Sequence, residues 1–277
     1  MQMMLAENLA YTTTRIESYD QSGQRFVGTG SFYNFLCSDD RRVPVIVTNR
    51  HLIRGSTHAI IHMTRAADND TPLTGQFETV DLCVSESAWI PHPNDEVDLC
   101  VLPIAELLRQ AQAKSRRMFY RAFEKSLLPS DDELSKLAAL EDVVMVGYPT
   151  GIWDSANNMP VFRKGITATH PYIDYEGRKE FLVDIACFPG SSGSPVLLYN
   201  MGTYPNADGG ITVGSRLKLL GILYAGPQYT VEGKIVVSPV PTQSTTVPTS
   251  QIPINLGVVI RSERLLDFEQ KDLFCVS

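Results

Sequence analysis

The sequence contains no run of about 18 consecutive apolar residues, so no membrane-crossing helix is expected and no membrane partner with it. It has no excess of positive charge. Its 24 Lys and Arg against 31 Asp and Glu give a formal charge of -7, which argues against a nucleic-acid partner, because phosphate recognition needs clustered cations. The one basic cluster, Lys114-Ser115-Arg116-Arg117, is short and reads as a solvated helix face. No CxxC pair occurs among the five cysteines, Cys37, Cys83, Cys100, Cys187 and Cys275, and no Cys/His pair has ligand spacing. A zinc site is therefore not expected, and nothing else in the sequence implies a metal or cofactor. The start, Met1 to Tyr11, lacks a basic stretch followed by an apolar run, so no secretory signal is expected. An odd cysteine count without such a signal reads as free thiols in a reducing, cytoplasmic compartment. No internal repeat is visible.

What the 277 residues do contain is a series of short β-strand patterns. Arg25 to Val27 leads through Gly28-Thr29-Gly30 into the alternating Ser31 to Phe35. Val43 to Thr48, His58 to Met63, Leu99 to Leu102, Val143 to Val146 and Phe181 to Ile185 are further strand candidates. Pro195 to Leu198, Leu217 to Tyr224, Lys234 to Val237 and Leu256 to Ile260 complete the set. Short strands with Gly/Pro punctuation predict an all-β barrel or sandwich. Two stretches differ. Ile104 to Leu127 carries apolar residues at helical spacing, and Ser130-Asp131-Asp132-Glu133 has the form of a helix N-cap with acids in the first turn. Ser238 to Pro253 has four prolines and no charge, and reads as a long extended loop. Ser262 to Asp272 predicts a short terminal helix.

Three sites could carry chemistry. In Phe188-Pro189-Gly190-Ser191-Ser192-Gly193-Ser194-Pro195, a serine sits among small residues in a tight turn ahead of a strand. Glycines there free the backbone, so the amides of Gly190 and Ser192 can point at one oxyanion. Such a cluster is commonly only a loop. A serine hydroxyl needs a base to attack a carbonyl at neutral pH. Of His51, His58, His62, His92 and His170, His51 stands out, because it ends the apolar strand Val45 to Thr48 and so would sit at a barrel rim. That base needs a carboxylate to fix its tautomer. Asp98 directly precedes a buried strand, whereas Asp95 and Glu96 lie in a polar loop and should face water.

Thr48-Asn49-Arg50-His51, Asp98-Leu99-Cys100-Val101-Leu102 and Gly190 to Pro195 resemble, in that order, the His, Asp and Ser motifs of the trypsin-like serine peptidases. Gly28 to Phe32, Gly147-Tyr148-Pro149, Gly165-Ile166-Thr167 and Leu220 to Gly226 are similar to further landmarks of that family. Leu256 to Leu266 resembles the last strand and helix of HtrA-like members. The resemblance spans about residues 25 to 270. It implies two six-stranded antiparallel β-barrels of the chymotrypsin fold; the helical stretch Ile104 to Leu127 would be an insertion between them that is not a usual feature of the family core, and Ser262 to Asp272 a short C-terminal helix. The corresponding division is 1–103 with His51 and Asp98, 104–140 as insertion, and 141–277 with Ser192. The function implied is a serine endopeptidase acting on a protein or peptide substrate; because an intracellular protease without a propeptide switch needs some control, narrow specificity or a regulatory partner is expected.

The sequence departs from digestive trypsins in having Ser191 where they carry Asp, so activation by an inserted N-terminal amine is not expected. The motif style is closer to the HtrA and glutamyl-endopeptidase branches, without a visible PDZ domain and without the latter's His on the substrate strand. By alignment, the substrate pocket draws on Ala186, Cys187, Tyr224, Ala225 and Gly226. None is charged, so the residue before the cleaved bond is expected to be apolar and small to medium. Two other readings stay open: an inactive trypsin-like scaffold that binds proteins, and an esterase or latent protease awaiting a partner.

Overall fold

The computed structural model describes residues 5–38, 41–82, 86–149, 152–205, 209–226, 228–232, 249–253 and 255–271. The chain is mostly β, with 48% of the described residues in strands and 16% in helices. A short helix, α1 (Leu5–Leu9), precedes the first strands: β1 (Thr13–Asp20), β2 (Arg25–Ser38), β3 (Arg41–Thr48), β4 (Ser56–Ala66) and β5 (Pro72–Asp81). After these come β6 (Ile90–Pro91), β7 (Cys100–Pro103) and β8 (Met118–Phe119). They form one eight-stranded sheet in the order β5-β4-β1-β2-β3-β7-β6, with β8 pairing to β4. Among the described residues the strands form a larger sheet whose hydrogen-bonded path has two ends, so the six-stranded first barrel implied by the resemblance is not confirmed. The extra strands arise because β8 adds to β4 outside the main path and the two-residue β6 extends it beyond β7.

The second half matches the expected form. Strands β9 (Asp142–Gly147), β10 (Val161–Thr167), β11 (Glu180–Asp184) and β12 (Pro195–Asn200) combine with two later strands into a closed six-stranded barrel. Between them lies a hairpin, β13 (Thr203–Pro205) and β14 (Ile211–Val213). The later barrel strands are β15 (Arg216–Ala225) and β18 (Leu256–Arg261), separated by the paired β16 (Gln228–Glu232) and β17 (Thr249–Pro253). The long loop expected at Ser238 to Pro253 therefore ends in a strand, and its part before Thr249 lies outside the described residues, as does the strand expected at Lys234 to Val237. A 3₁₀-helix, Ser262–Lys271, closes the described chain.

The helical reading of Ile104 to Leu127 holds for its first part and for a 3₁₀ turn at its end, Lys125–Leu127. Helix α3 (Ala105–Ala113) ends where Ser115 takes φ +57, and Met118-Phe119 then pairs with β4 as β8. Phe123 next bridges to Tyr33. The apolar residues with helical spacing there are extended chain packing inward. Ser130 accepts the Glu133 amide and Glu133 reaches back to the Ser130 amide, capping α4 (Asp131–Ser135) as a reciprocal box.

One of the apolar core clusters joins the sheet to the barrel. Tyr33, Val45, Val47 and Leu99 from the first meet Val146, Leu197, Ile222 and Ile260 from the second, with Leu265 and Phe268 of the terminal 3₁₀-helix sealing one side. Burial of each such side chain stabilises by about 1.5–3 kcal/mol. The cleft between sheet and barrel is thereby held between two fixed walls. No described helix is long and apolar enough to cross a membrane.

Candidate active site

His51 does not sit on the strand end. It lies on the one-turn helix α2 (Arg50–Ile53) that follows β3, pinned from below by the buried Leu52 and Ile53. Asp98 lies two residues before β7. Because β3 and β7 are paired, with Thr48 opposite Cys100, the two side chains leave the sheet at the same edge. The His51 backbone N–H donates to Asp98 Oδ1 at 2.9 Å, and His51 Nδ1 meets Asp98 Oδ2 at 2.5 Å. The Asn49 side-chain amide donates to the Asp98 carbonyl at 2.9 Å, which fixes the carboxylate from behind. With Nδ1 engaged, Nε2 is the nitrogen left for the cleft. Asp95, the nearest competitor, has its side chain 94% exposed and pairs with Arg50. His62 and His92 are buried in hydrogen-bonded settings of their own, and His58 stacks on Tyr19.

Ser192 stands on the turn between β11 and β12. It lines a cleft of about 520 Å³ together with His51 and Asp98. The structure therefore brings the three expected residues to one groove, although no hydrogen bond links the Ser192 hydroxyl to His51. In ligand-free sites such contacts are often long and tighten once substrate binds. Gly190 and Gly193 hold φ of +90° and +86°, a region that a Cβ would disfavour. The amides of Ser191, Gly193 and Ser194 are spent on carbonyls of Phe188, Leu223 and Ser191. Those of Gly190 and Ser192 have no acceptor among the described residues, so they are free to bind an anion.

Residues 28–203 match the family model of the trypsin-like peptidase domain. The chain belongs to the trypsin-like peptidase family. The matched segment includes His51, Asp98 and Ser192. Among solved structures, this trypsin-like peptidase is similar to the Rv3671c protease of M. tuberculosis in its active form. They share 13% identity at a TM-score of 0.49, over 99% of this chain and 85% of that one. HL collagenase gives 13% and 0.49 over 96% and 94%, respectively. The tobacco etch virus protease complexed with product gives 14% and 0.44 over 82% and 72%. No curated protein sequence matches it.

Of the pocket residues expected in this peptidase, Cys187, Tyr224, Ala225 and Gly226 line the cleft, joined by Phe188, Pro189 and Leu223. Ala186 does not line it. Its carbonyl instead accepts from Arg163, behind the wall. Burial pushes the Cys187 thiol up to about 11, so it stays protonated at neutral pH and is a poor nucleophile. Burial, with the Glu180 carboxylate that accepts from its hydroxyl at 3.0 Å, pushes Tyr224 up to about 12. Among the described residues no group of three His, Cys, Asp or Glu could hold a metal ion.

Sequence reasoning missed the side chains that carry the serine turn. Thr29 on β2 is fully buried. Its N–H donates to the Ser192 carbonyl at 2.8 Å, and its hydroxyl donates to the Gly190 carbonyl at 3.1 Å. Ser31 reaches the Gly193 carbonyl at 3.0 Å, and Thr48 holds the Thr29 carbonyl at 2.8 Å. The sheet bearing His51 thus grips the turn bearing Ser192. The visible signal was Gly28-Thr29-Gly30, a hydroxyl flanked by two residues that leave its backbone uncovered.

The grip leaves no space at Gly193. A Cβ there would lie 1.9 Å from the Thr29 carbonyl oxygen and 2.7 Å from Thr48 Oγ1. Gly193→Ala is expected to destabilise the fold by about 3–5 kcal/mol, combining overpacking with a strained φ. The matching fall in melting temperature is roughly 10 °C, read by calorimetry. A variant melting within about 2 °C of the parent would show the contact to be slack.

Proposed function

We propose that this trypsin-like peptidase is a serine endopeptidase, with Ser192 as nucleophile, His51 as general base and Asp98 as its orienting carboxylate. The reading is carried by one observation: the 2.5 Å contact of His51 Nδ1 with Asp98 leaves the opposite edge of the ring for the cleft that Ser192 shares. In this mechanism Ser192 Oγ attacks the peptide carbonyl while its proton passes to His51 Nε2. The amides of Gly190 and Ser192 receive the oxyanion. His51 then gives the proton to the leaving amine as the C–N bond breaks. Water, deprotonated by the same ring, releases the acyl group and restores the serine. Asp98 holds the imidazole in the productive tautomer throughout.

On this reading the sheet-bearing half, residues 1–103, is the counterpart of the family's first barrel, 104–140 is a connecting insertion, and 141–277 is the second. A fluorophosphonate probe is expected to label the purified protein at Ser192, and Ser192→Ala is expected to abolish labelling. A protein that never labels, with or without lysate added, would be a binding scaffold and not an enzyme.

The cleft wall supports a preference for apolar, small to medium side chains before the cleaved bond. Cys187, Leu223, Ala225 and Gly226 supply it, and a Cβ built on Gly226 would lie only 3.6 Å from Cys187 Cβ. Cleavage of a peptide library should concentrate after residues such as Ala and Val. Cleavage mainly after Arg, Lys or Glu would sink that preference. Ser191 is buried, and its hydroxyl accepts from the Phe188 amide at 3.4 Å, so no carboxylate waits there for an N-terminal amine. We therefore place control in narrow substrate choice or a regulatory protein partner. Casein should survive incubation with the purified protein largely intact. The unpaired thiols of Cys100 and Cys187 support a cytoplasmic setting.

A further inference from the structure

The stretch from Ala186 to Ser192 carries both amides that the peptidase reading assigns to the oxyanion, yet it belongs to no strand. Strand β11 ends at Asp184 and β12 begins at Pro195. Inside the stretch the Ser191 N–H makes a turn bond to the Phe188 carbonyl at 3.0 Å. A loop outside the strand ladders needs outside anchors to keep two donors aimed. Thr29 supplies the anchor at the far end through the carbonyls of Gly190 and Ser192.

At the near end stands Arg163, on β10. Its guanidinium donates to the Ala186 carbonyl and lies 5.0 Å from the centroid of the Phe188 ring. No carboxylate lies within ion-pair distance of it among the described residues, unlike its neighbour Lys164, which pairs with Asp142 at 2.9 Å. Partial burial pulls its pKa down, since water no longer fully solvates the charge. A half-buried cation without a carboxylate contributes little to stability on its own account. Its two contacts both fall on the loop, one on backbone and one on a ring that lines the cleft.

We propose that Arg163 is a positioning residue for the oxyanion-binding loop: it fixes Ala186 and Phe188 from behind, so that the Gly190 amide points into the cleft. Lysine can reproduce one donor and the charge at this site but not the planar fork that bonds a carbonyl while lying over a ring. The inference rests on the serine-peptidase reading, and the test separates the two.

The test compares the parent, Arg163→Met, Arg163→Lys and the neighbouring Lys164→Met. Each is assayed for its rate of Ser192 labelling by a fluorophosphonate, for kcat and KM on a small p-nitrophenyl ester, and for melting temperature. Removing an oxyanion donor outright costs about 10²–10³ in kcat, so loosening one should cost about 10- to 100-fold. Arg163→Met is expected to lose that much in labelling rate and kcat, with KM changed less than about threefold. Arg163→Lys should recover part of the loss, and Lys164→Met should behave as the parent. Labelling of Arg163→Met at the parent's rate would overturn the inference and leave the peptidase reading intact. So would a loss of activity that only follows the melting temperature and is not eased by lysine. If the parent itself never labels at Ser192, the peptidase reading falls and this inference falls with it.

Discussion

Ser192→Ala is expected to lower kcat on any cleaved peptide by about 10⁵- to 10⁶-fold while leaving the fold untouched. The size follows from how the three side chains act. On the serine-peptidase reading, His51 and Asp98 contribute to the chemistry only through the hydroxyl they activate, so its removal forfeits their effect as well. What survives is binding and the free amides of Gly190 and Ser192, which on their own leave about 10³- to 10⁴-fold over the uncatalysed reaction. Stability should hardly move. The Ser192 hydroxyl makes no hydrogen bond among the described residues, so its loss orphans no partner, and the turn is held through the Ser192 carbonyl by Thr29. A change within about 0.5 kcal/mol is expected, or roughly 1–2 °C in melting temperature. Single-turnover kinetics with a fluorogenic peptide and a thermal melt read the two quantities. Activity within tenfold of the parent would remove Ser192 from the mechanism altogether.

The residues proposed to do chemistry were legible because each sits in a local pattern that backbone geometry demands. Gly190 and Gly193 announce a turn with positive φ, and both have it. Asp98 announces itself by standing against a buried strand. Asp95 and Glu96 announce water, and they are exposed. The local frame of His51 was less legible. Val45 to Thr48 does form the strand, but the chain turns through Asn49 into a helical turn whose buried Leu52 and Ile53, not the strand end, set the ring. Residues that only position others were missed. Thr29 and Thr48 read as ordinary β-branched strand residues, and their hydroxyls act on backbone carbonyls 161 and 19 positions away. Arg163 acts on a carbonyl and a ring, so no opposite charge in the sequence marks its partner.

The fold was legible wherever apolar residues alternate and obscure wherever polar residues are buried. Strand β1 escaped notice because Thr13, Thr14, Glu17 and Ser18 interrupt its apolar pattern, although all four are buried. Glu17 is tolerated there because Arg15, Arg25, Tyr19 and His62 surround its carboxylate. Burial raises its pKa, but these partners outweigh that and hold it below the ordinary carboxylate value. The Ile104 to Leu127 segment failed in the opposite sense. Its apolar spacing suits a helix, yet β4 offers Met118 and Phe119 an open edge, and pairing there satisfies backbone groups that a helix would otherwise satisfy itself.

Asp98→Asn should lower kcat by about 10⁴-fold, with little change in KM or stability, for a reason visible at the carboxylate itself. Its two oxygens have separate tasks: Oδ1 accepts the backbone N–H of His51, and Oδ2 faces Nδ1 of the ring. A backbone N–H can only donate. In the asparagine variant the amide oxygen must therefore take the Oδ1 position, which turns the amide NH₂ toward Nδ1. The ring then has to accept at Nδ1 and carry its proton on Nε2. In that tautomer it cannot take a proton from Ser192. The fold keeps all its hydrogen bonds, so melting should shift by no more than a few degrees, and fluorophosphonate labelling should slow in step with kcat. Asp95→Asn is the control, since its carboxylate is 94% exposed and bonded to Arg50. It should leave kcat within about twofold, because an exposed pair of this kind is worth little. An Asp98→Asn variant that keeps a tenth of the parent rate would show that the ring is held in its working tautomer by something other than this carboxylate.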